Sequence, residues 1–488
     1  MVYPSLLYCK RPEKKQIPLS VFEDLQLIHF FDSGIIGDVR FPCDRENREA
    51  RQGLFTSLSD AGNFARIKEL YDTSELLAEA DERYSELKSE IEKSVVFIYL
   101  MKCVSDFENK ASECDFGDRQ STLFSSFFKK LTGDGRHREM ISELDGLWKV
   151  LAEKMTFTLS VGTDSISVSP EHSGTYIEKL VSSAHLLGIE VNAGSKEKER
   201  PISTDIIEKA VSADGEYFRS VKGFYDKYRN TYDNGIVWYR NELKFYICAE
   251  NLILKAKDGG VPFCFAEETD ERMIVADEVY DISLLEKNEK NIVPNNADFR
   301  EGDSFFFLTG ANGGGKTTFL RAVGILTLFY LLGCPLPCRR ASIGGITNIF
   351  THFPRDERFD GSGRFVEEDK RVRKIIEQSD GGSFILLNET YATTNEENAV
   401  HYTEKLASLL HGEGRFGLYI THQHGLNDLG IPYLHVVIDE NDGNRRTFKI
   451  ERNKSGGGSF ARDILKRYGL TAEALEKRFG AIEKGGRI

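Results

Sequence analysis

The chain has 488 residues, a formal net charge of −13, and 40% hydrophobic against 29% charged residues. At about 150 residues per domain this length calls for two to four cores, and so ordinary a mixture excludes a wholly disordered chain. The acidic balance argues against a protein that grips nucleic acid with its whole surface, because backbone binding needs positive charge; only a local basic patch could serve.

The N-terminal run MVYPSLLYCKRPEKK has neither a long apolar core nor a small-residue cleavage site, so it does not read as a secretory signal. Residues 22–64 mix short apolar runs with polar segments and predict loops and short helices. From Phe64 to Cys103, residues such as Ile67, Leu70, Leu77, Leu87, Ile91, Val95 and Leu100 recur every three or four positions, the stripe of one long amphipathic helix. Residues 103–135 are more polar and are expected to break it, and Glu139–Glu153 resumes helical character. Phe157–Val168, FTLSVGTDSISV, partly alternates around Gly162 and Asp164, a hairpin signal. A second long helical pattern runs from Tyr217 to Ala256. Its aromatic stripe (Phe224, Tyr228, Trp238, Tyr239, Tyr246) reads as helix packing, since base-stacking platforms need exposed rings beside basic charge.

After Gly259 and Gly260 the texture changes. Short β-branched and aromatic runs at 273–276, 304–308, 384–387, 418–420 and 434–438 alternate with helical stretches, which predicts a sheet with helices on its faces. The expected division is therefore 1–260, mostly helical, and 261–488, α/β, with a helical tail over Phe460–Phe479. The longest apolar stretch, around Ile325–Leu332, is too short to span a bilayer, so no membrane is expected. The eight cysteines are scattered. Cys334 and Cys338 in CPLPC are the closest pair, but they offer only two ligands to a zinc site and have no histidine beside them. They read as reduced cysteines of a cytoplasmic protein.

The chemistry-bearing motif is SFFFLTG leading into GANGGGKTTFLRAVGILTLFYLL: strand, glycine-rich loop, helix. Gly310, Gly315, Lys316 and Thr317 meet the pattern G-x-x-x-x-G-K-T. Backbone N–H groups of Gly310, Ala311, Asn312, Gly313, Gly314 and Gly315 can curve around phosphate, and the following helix turns its N-terminal dipole to the anion. Lys316 is expected to reach the β- and γ-phosphates of ATP, Thr317 to ligate Mg²⁺, and Thr318 to complete the loop. The buried run FILLNET ends in Asn388-Glu389, where Asp-Glu is usual. Asn388 keeps an oxygen for the metal without the charge, and Glu389 keeps the role of general base. The strand of YITHQHG ends in Thr421-His422. His422 is placed to touch the γ-phosphate or position water, with His424 the neighbouring decoy.

Together these elements resemble the MutS family of DNA mismatch repair ATPases. The family loop G-P-N-M-G-G-K-S is matched by GANGGGKT, with Ala311, Gly313 and Thr317 substituted. ITNIFTHF, Ile346–Phe353, is similar to the family's R-I-F-T-R-I-G, and Ser362-Gly363-Arg364-Phe365-Val366-Glu367-Glu368 to a shortened S-G-R-S-T-F-x-x-E. Asn388–Glu396 stands where the family has D-E-x-x-x-G-T-S-T, Ile420-Thr421-His422 where it has A-T-H, and GGSFARDIL resembles K-S-Y-G-I-x-V-A.

The resemblance implies a multidomain chain, with a long-helix core and lever region followed by an α/β P-loop ATPase domain of ABC type and a C-terminal helical dimerisation segment. It implies ATP and Mg²⁺, a homodimer in which Ser362 approaches the partner's ATP, duplex or branched DNA, and a repair protein partner. The chain has no room for the family's N-terminal mismatch-reading domain and is expected to be a short member without it; Phe22–Leu27, FEDLQL, reads as packing. A reduced clamp is expected within 115–215, where the basic clusters GDGRHR and KEKER read as solvated surface. The alternative to a hydrolysing machine is a weakly hydrolysing ATP-dependent switch, suggested by Asn388.

Overall fold

Ser89 ends the first of the long helical patterns. In the computed structural model Phe64–Cys103 is not one helix but parts of two, Ala61–Glu86 and Glu90–Glu113. The Ser89 hydroxyl accepts from the Glu92 N–H at 3.4 Å, and Glu90 and Glu92 place carboxylates in the first turn of the second helix. Both features favour a new N-terminus. The apolar period survives across the break, which is why it conceals it.

The structure describes residues 3–10, 16–150, 156–161, 166–171, 215–286, 292–354, 364–391, 396–423, 426–439 and 445–452. The chain divides into two compact units, Met1–Arg11 with Gly53–Glu250, and Pro12–Gln52 with Asn251–Ile488. Residues 12–52 thus group with the α/β part of the chain, not with the helical front that the sequence predicts for all of 1–260. Among the described residues no helix is long and apolar enough to cross a membrane.

The first unit is helical. Residues 103–135, expected to interrupt helix, instead complete Glu90–Glu113 and form Arg119–Thr132. The polar composition misleads because part of it is packed inside: Gln120, Ser121 and Ser125 are buried together with Phe124 and Phe128. Gly135–Lys149 follows, its N-cap Asp134 accepting from the N–H groups of Arg136 and His137. The cluster GDGRHR is therefore in part a helix start. The pattern over 217–256 is likewise divided, into Gly215–Tyr228 and Tyr239–Asp258, with a turn of 3₁₀ helix at Asn234–Trp238 between them.

The aromatic stripe is mostly core. Tyr239 meets Phe124 at 5.0 Å, Phe107 at 5.6 Å and Phe128 at 5.8 Å between ring centroids. Trp238 is the exception, 77% exposed. The N-terminal segment is tied into this core by polar contacts. The Tyr239 hydroxyl donates to the Pro4 carbonyl (2.6 Å), the Tyr246 hydroxyl to the Leu6 carbonyl (2.7 Å), and Leu6 N–H to the Glu242 carboxylate (2.7 Å). The expected hairpin forms as β1 (Thr156–Val161) and β2 (Ile166–Glu171), antiparallel with Val161 opposite Ile166. Most of the candidate clamp region beyond it, including KEKER, lies outside the described residues.

The second unit holds two sheets. One contains β3 (Ala266–Glu268), β4 (Met273–Val279), β5 (Asn295–Arg300) and β7 (Arg340–Gly344) in the order β3-β7-β4-β5. The other contains β6 (Phe305–Thr309), β8 (Asn348–His352), β9 (Ser383–Asn388), β10 (Phe416–Ile420), β11 (Tyr433–Asp439) and β12 (Arg445–Arg452) in the order β12-β11-β6-β10-β9-β8. All neighbours in this second sheet are parallel except β11 and β12. β8, β9 and β10 are buried at every position, the mark of strands covered on both faces. FEDLQL packs as expected, with Phe22 and Leu25 fully buried. Asp24, also buried, accepts from the Thr351 hydroxyl of β8 at 2.7 Å and from the Arg371 guanidinium at 3.1 Å. The C-terminal segment 453–488 lies outside the described residues.

Candidate active site

The strands β6, β10 and β9 are parallel neighbours, so the segments that follow them emerge at one edge of the sheet. Ile420 lies opposite Leu308 on one side and Asn388 on the other. This register brings together the glycine loop, Asn388-Glu389 and Thr421-His422, which are scattered over more than a hundred positions of sequence.

The loop Gly310–Gly315 joins β6 to the helix Lys316–Leu331. Gly310 has φ +134, and a Cβ there would lie 2.9 Å from the Val436 side chain; Gly313 has φ +70, and its Cβ would meet the Arg446 guanidinium at 2.7 Å. At Gly310 conformation and space both require glycine, whereas at Gly313 the positive φ favours it and the flexible Arg446 side chain could give way. The Lys316 side chain is buried, and its ammonium donates to the carbonyls of Gly310 (2.7 Å) and Ala311 (3.2 Å) and to Asn312 Oδ1 (3.3 Å). Burial draws the ammonium below the usual lysine range, while the Glu389 charge opposes that shift. Thr317 and Thr318 are half-buried in the first helical turn, Gly314 is buried, and Asn312 and Gly313 are exposed.

Glu389 follows β9 with φ 48, a left-handed conformation rare for a side-chain-bearing residue. Its N–H donates to the Ile420 carbonyl at 2.9 Å, which fixes that turn against the end of β10. Its carboxylate accepts from His422 Nε2 at 3.0 Å. That hydrogen bond first, and the charges of His422 and Lys316 after it, hold the Glu389 carboxyl below the ordinary glutamate range against the opposing effect of burial. Glu389 is thus an ionised acceptor oriented by an imidazole and facing a lysine.

The segment after Glu389 is anchored from below. The Tyr419 hydroxyl donates to the Thr390 carbonyl at 3.0 Å, and the Thr390 hydroxyl meets His352 Nδ1 at 3.0 Å. Phe365, Tyr391 and Tyr402 cluster with ring centroids 5.1 to 5.7 Å apart. Asn388, the last residue of β9, is buried, and its Oδ1 has no hydrogen-bond partner among the described residues. Ser362, the altered run 392–395 and His424 lie outside the described residues.

Three contributors to this edge carry no motif. Val436 of β11 packs under Gly310 and Gly314, Arg446 of β12 lies over Gly313, and Phe448 of β12 flanks Gly315. Asn295 fastens β12 there: its Nδ2 donates to the Phe448 carbonyl at 3.0 Å and its Oδ1 accepts from the Ile450 N–H at 2.8 Å. Nothing in the run RRTFKIER announces the glycine loop more than a hundred residues earlier.

Residues 306–455 match the family model described as MutS domain V. The DNA mismatch repair protein MutS of Aquifex pyrophilus is 28% identical over 201 residues, covering 40% of this chain and 24% of that protein. The MutS of Natronomonas pharaonis is 29% identical over 148 residues, 30% of this chain and 17% of that protein. The DNA mismatch repair protein Msh3 of Homo sapiens is 29% identical over 198 residues, 39% of this chain and 17% of that protein. Residues 306–455 of the chain are thus similar to domain V of MutS proteins. The matches span at most 24% of the length of these relatives. The matched stretch opens inside β6 and contains Lys316, Asn388, Glu389 and His422.

Proposed function

We propose that the second unit binds ATP with Mg²⁺ and hydrolyses it, as an ABC-type P-loop engine of a MutS-like DNA-binding ATPase. The observation that carries this reading is the convergence of Lys316, Glu389 and His422 at the ends of three adjacent parallel strands. Lys316, held over the glycine loop by its carbonyls, is free to exchange those contacts for phosphate oxygens. Glu389, ionised and aligned by His422, accepts a proton from the attacking water, and His422 holds the carboxylate and the water in line.

The residues present fit a magnesium ion. Thr317 offers a hydroxyl in the first helical turn, and Asn388 offers a buried oxygen with an unused lone pair, beside the carboxylate of Glu389. When bound, the ion would neutralise charge on the β- and γ-phosphates. Because Asn388 is neutral, the cation is held by fewer charges than an aspartate there would provide.

The wider reading is a cytoplasmic homodimer in which Ser362 of one chain approaches ATP on the other, and in which hydrolysis moves the helices of the first unit on duplex or branched DNA, with or without a repair protein partner. Single-turnover hydrolysis, measured beside nucleotide affinity, tests the engine: turnover with Mg²⁺ that disappears in Glu389→Gln supports it, and undiminished turnover in that variant overturns it. Mixing Lys316→Ala chains with Ser362→Ala chains should restore one composite site if the dimer is shared. Binding to mismatched, branched and plain duplexes across salt concentrations, with and without ATP, tests the DNA reading, for which a steep salt slope is expected. The second reading, a switch that binds ATP but turns over weakly, is favoured by Asn388. Asn388→Asp should then tighten Mg²⁺ and raise turnover.

A further inference from the structure

The eight cysteines are all free thiols. Sequence spacing singles out Cys334 and Cys338, but the fold gives Cys338 another neighbour. Cys264 and Leu336 form a closed antiparallel bridge: the Cys264 N–H donates to the Leu336 carbonyl at 3.1 Å, and the Leu336 N–H to the Cys264 carbonyl at 2.7 Å. The Cys338 N–H turns back to the same Leu336 carbonyl at 2.8 Å. Tyr280 clamps both segments, its N–H donating to the Pro337 carbonyl at 3.2 Å and its hydroxyl to the Pro262 carbonyl at 2.9 Å. The outcome is that Sγ of Cys264 and Sγ of Cys338, 74 positions apart in the chain, stand 3.4 Å from each other. A disulfide holds its sulfurs at about 2.05 Å. Closing that gap takes side-chain rotation, with the backbone already bridged.

We propose that Cys264 and Cys338 are an oxidation site that hydroperoxides convert to a reversible disulfide. The two thiols are not equivalent. Cys264 is partly exposed and Cys338 is buried. The contact with the Cys338 sulfur, in which either thiol can donate, and the N–H of Ala341 bring the Cys264 thiol below the usual cysteine range. The same hydrogen bond first, and burial second, push the Cys338 thiol up. Elsewhere burial pushes Cys103 up to about 11 and Cys114 up to about 12, so these thiols stay protonated and unreactive.

Cys264 is therefore the attacking thiolate. Its sulfur bonds to one peroxide oxygen as the O–O bond breaks; the other oxygen leaves as water after taking a proton, and Cys264 becomes a sulfenic acid. The Cys338 sulfur then attacks the Cys264 sulfur, the S–O bond breaks, and a second water leaves with the Cys338 proton. In sum, two thiols and hydrogen peroxide give one disulfide and two waters, with two electrons passing from sulfur to peroxide. The crosslink would enclose β6, the glycine loop and the helix Lys316–Leu331, which all lie between positions 264 and 338. It does not depend on what that loop binds.

The test treats the intact protein with hydrogen peroxide, alkylates it after denaturation, and maps the cysteines by peptide mass spectrometry. The expected result is a Cys264–Cys338 crosslinked peptide, with two of the eight thiols lost to alkylation and both recovered after dithiothreitol. Cys264→Ser should abolish the crosslink and leave Cys338 alkylatable. A Cys334–Cys338 crosslink, or Cys264 oxidised to sulfinic acid beside an alkylatable Cys338, would overturn the proposal. Should Cys264→Ser fail to fold, native alkylation of the unoxidised wild type still decides: Cys264 should react about tenfold faster than Cys103 or Cys114, and equal rates count against it.

Discussion

The two units treat polar groups in opposite ways. In the helical unit, hydroxyls and carboxylates that enter the core find partners there, as Tyr239 does at Pro4, Tyr246 at Leu6 and Glu242 at Leu6. In the α/β unit the strand ends hold groups whose bonding is incomplete or borrowed. Asn388 Oδ1 lacks a hydrogen-bond partner among the described residues, Lys316 is bound by loop carbonyls, and Glu389 occupies a left-handed backbone. Satisfied polar groups fix a shape, while unsatisfied ones cost stability and are kept where they can receive a ligand. One pair in the helical unit departs from its own rule. Glu108 is buried and His137 half-buried, with His137 Nε2 and Glu108 Oε2 2.9 Å apart, so this polar contact becomes an ion pair only when the imidazole is protonated.

The contrast can be broken or sharpened by substitution. The largest effect is expected at Glu389: Glu389→Gln should slow single-turnover hydrolysis by about 10²–10⁴-fold, with nucleotide affinity and melting nearly unchanged. A parallel fall in stability would show Glu389 to be a structural residue like those of the helical unit. Phe128→Ala, which empties the ring cluster around Tyr239, should cost about 3–5 kcal/mol in denaturant unfolding. A loss below about 1 kcal/mol would mean that this core is loosely packed. Lys316→Ala should weaken ATP binding about 100-fold, since a buried charged donor is worth roughly 3 kcal/mol, and it should not lower stability, because burial already disfavours the ammonium. Isothermal titration alongside melting separates the two.

The smallest effect belongs to His137. The Glu108 carboxylate holds the imidazolium above the usual histidine range. A raised folded-state value stabilises fully below the unfolded value of about 6.5 and is lost as pH rises through the folded value. Melting of the protein should therefore fall modestly from slightly acid to alkaline pH, and Glu108→Gln should flatten that slope; an unchanged slope would remove the pair from the account.

The sequence is most readable where burial leaves no choice. β6, β9 and β10 are continuous apolar runs because both faces are covered, and the glycine loop is explicit because Gly310 sits where a side chain cannot. Helix ends are less readable: the period across Leu87–Ser89 continues through a break, and only the Ser89 cap marks it. β5, with buried and exposed positions alternating through NNADFR, is too polar to stand out. Least readable are contacts made by register between distant strands. Arg446 and Phe448 reach the loop through the pairing of β12 with β11, and Cys264 reaches Cys338 through a single bridge. No local pattern encodes either.

The membership of residues 12–52 in the second unit sets a timetable. Arg51 donates to the carbonyl of Leu332 at 2.5 Å, and Arg48 pairs with Glu268. On the ribosome these arginines emerge long before their partners exist. At about 5–20 residues per second, the wait from Gln52 to the strands beyond residue 305 is on the order of tens of seconds. Throughout that interval the apolar residues Phe22 and Leu25 have no sheet to cover. In a nascent chain of this protein that early segment waits for its own sheet to be translated.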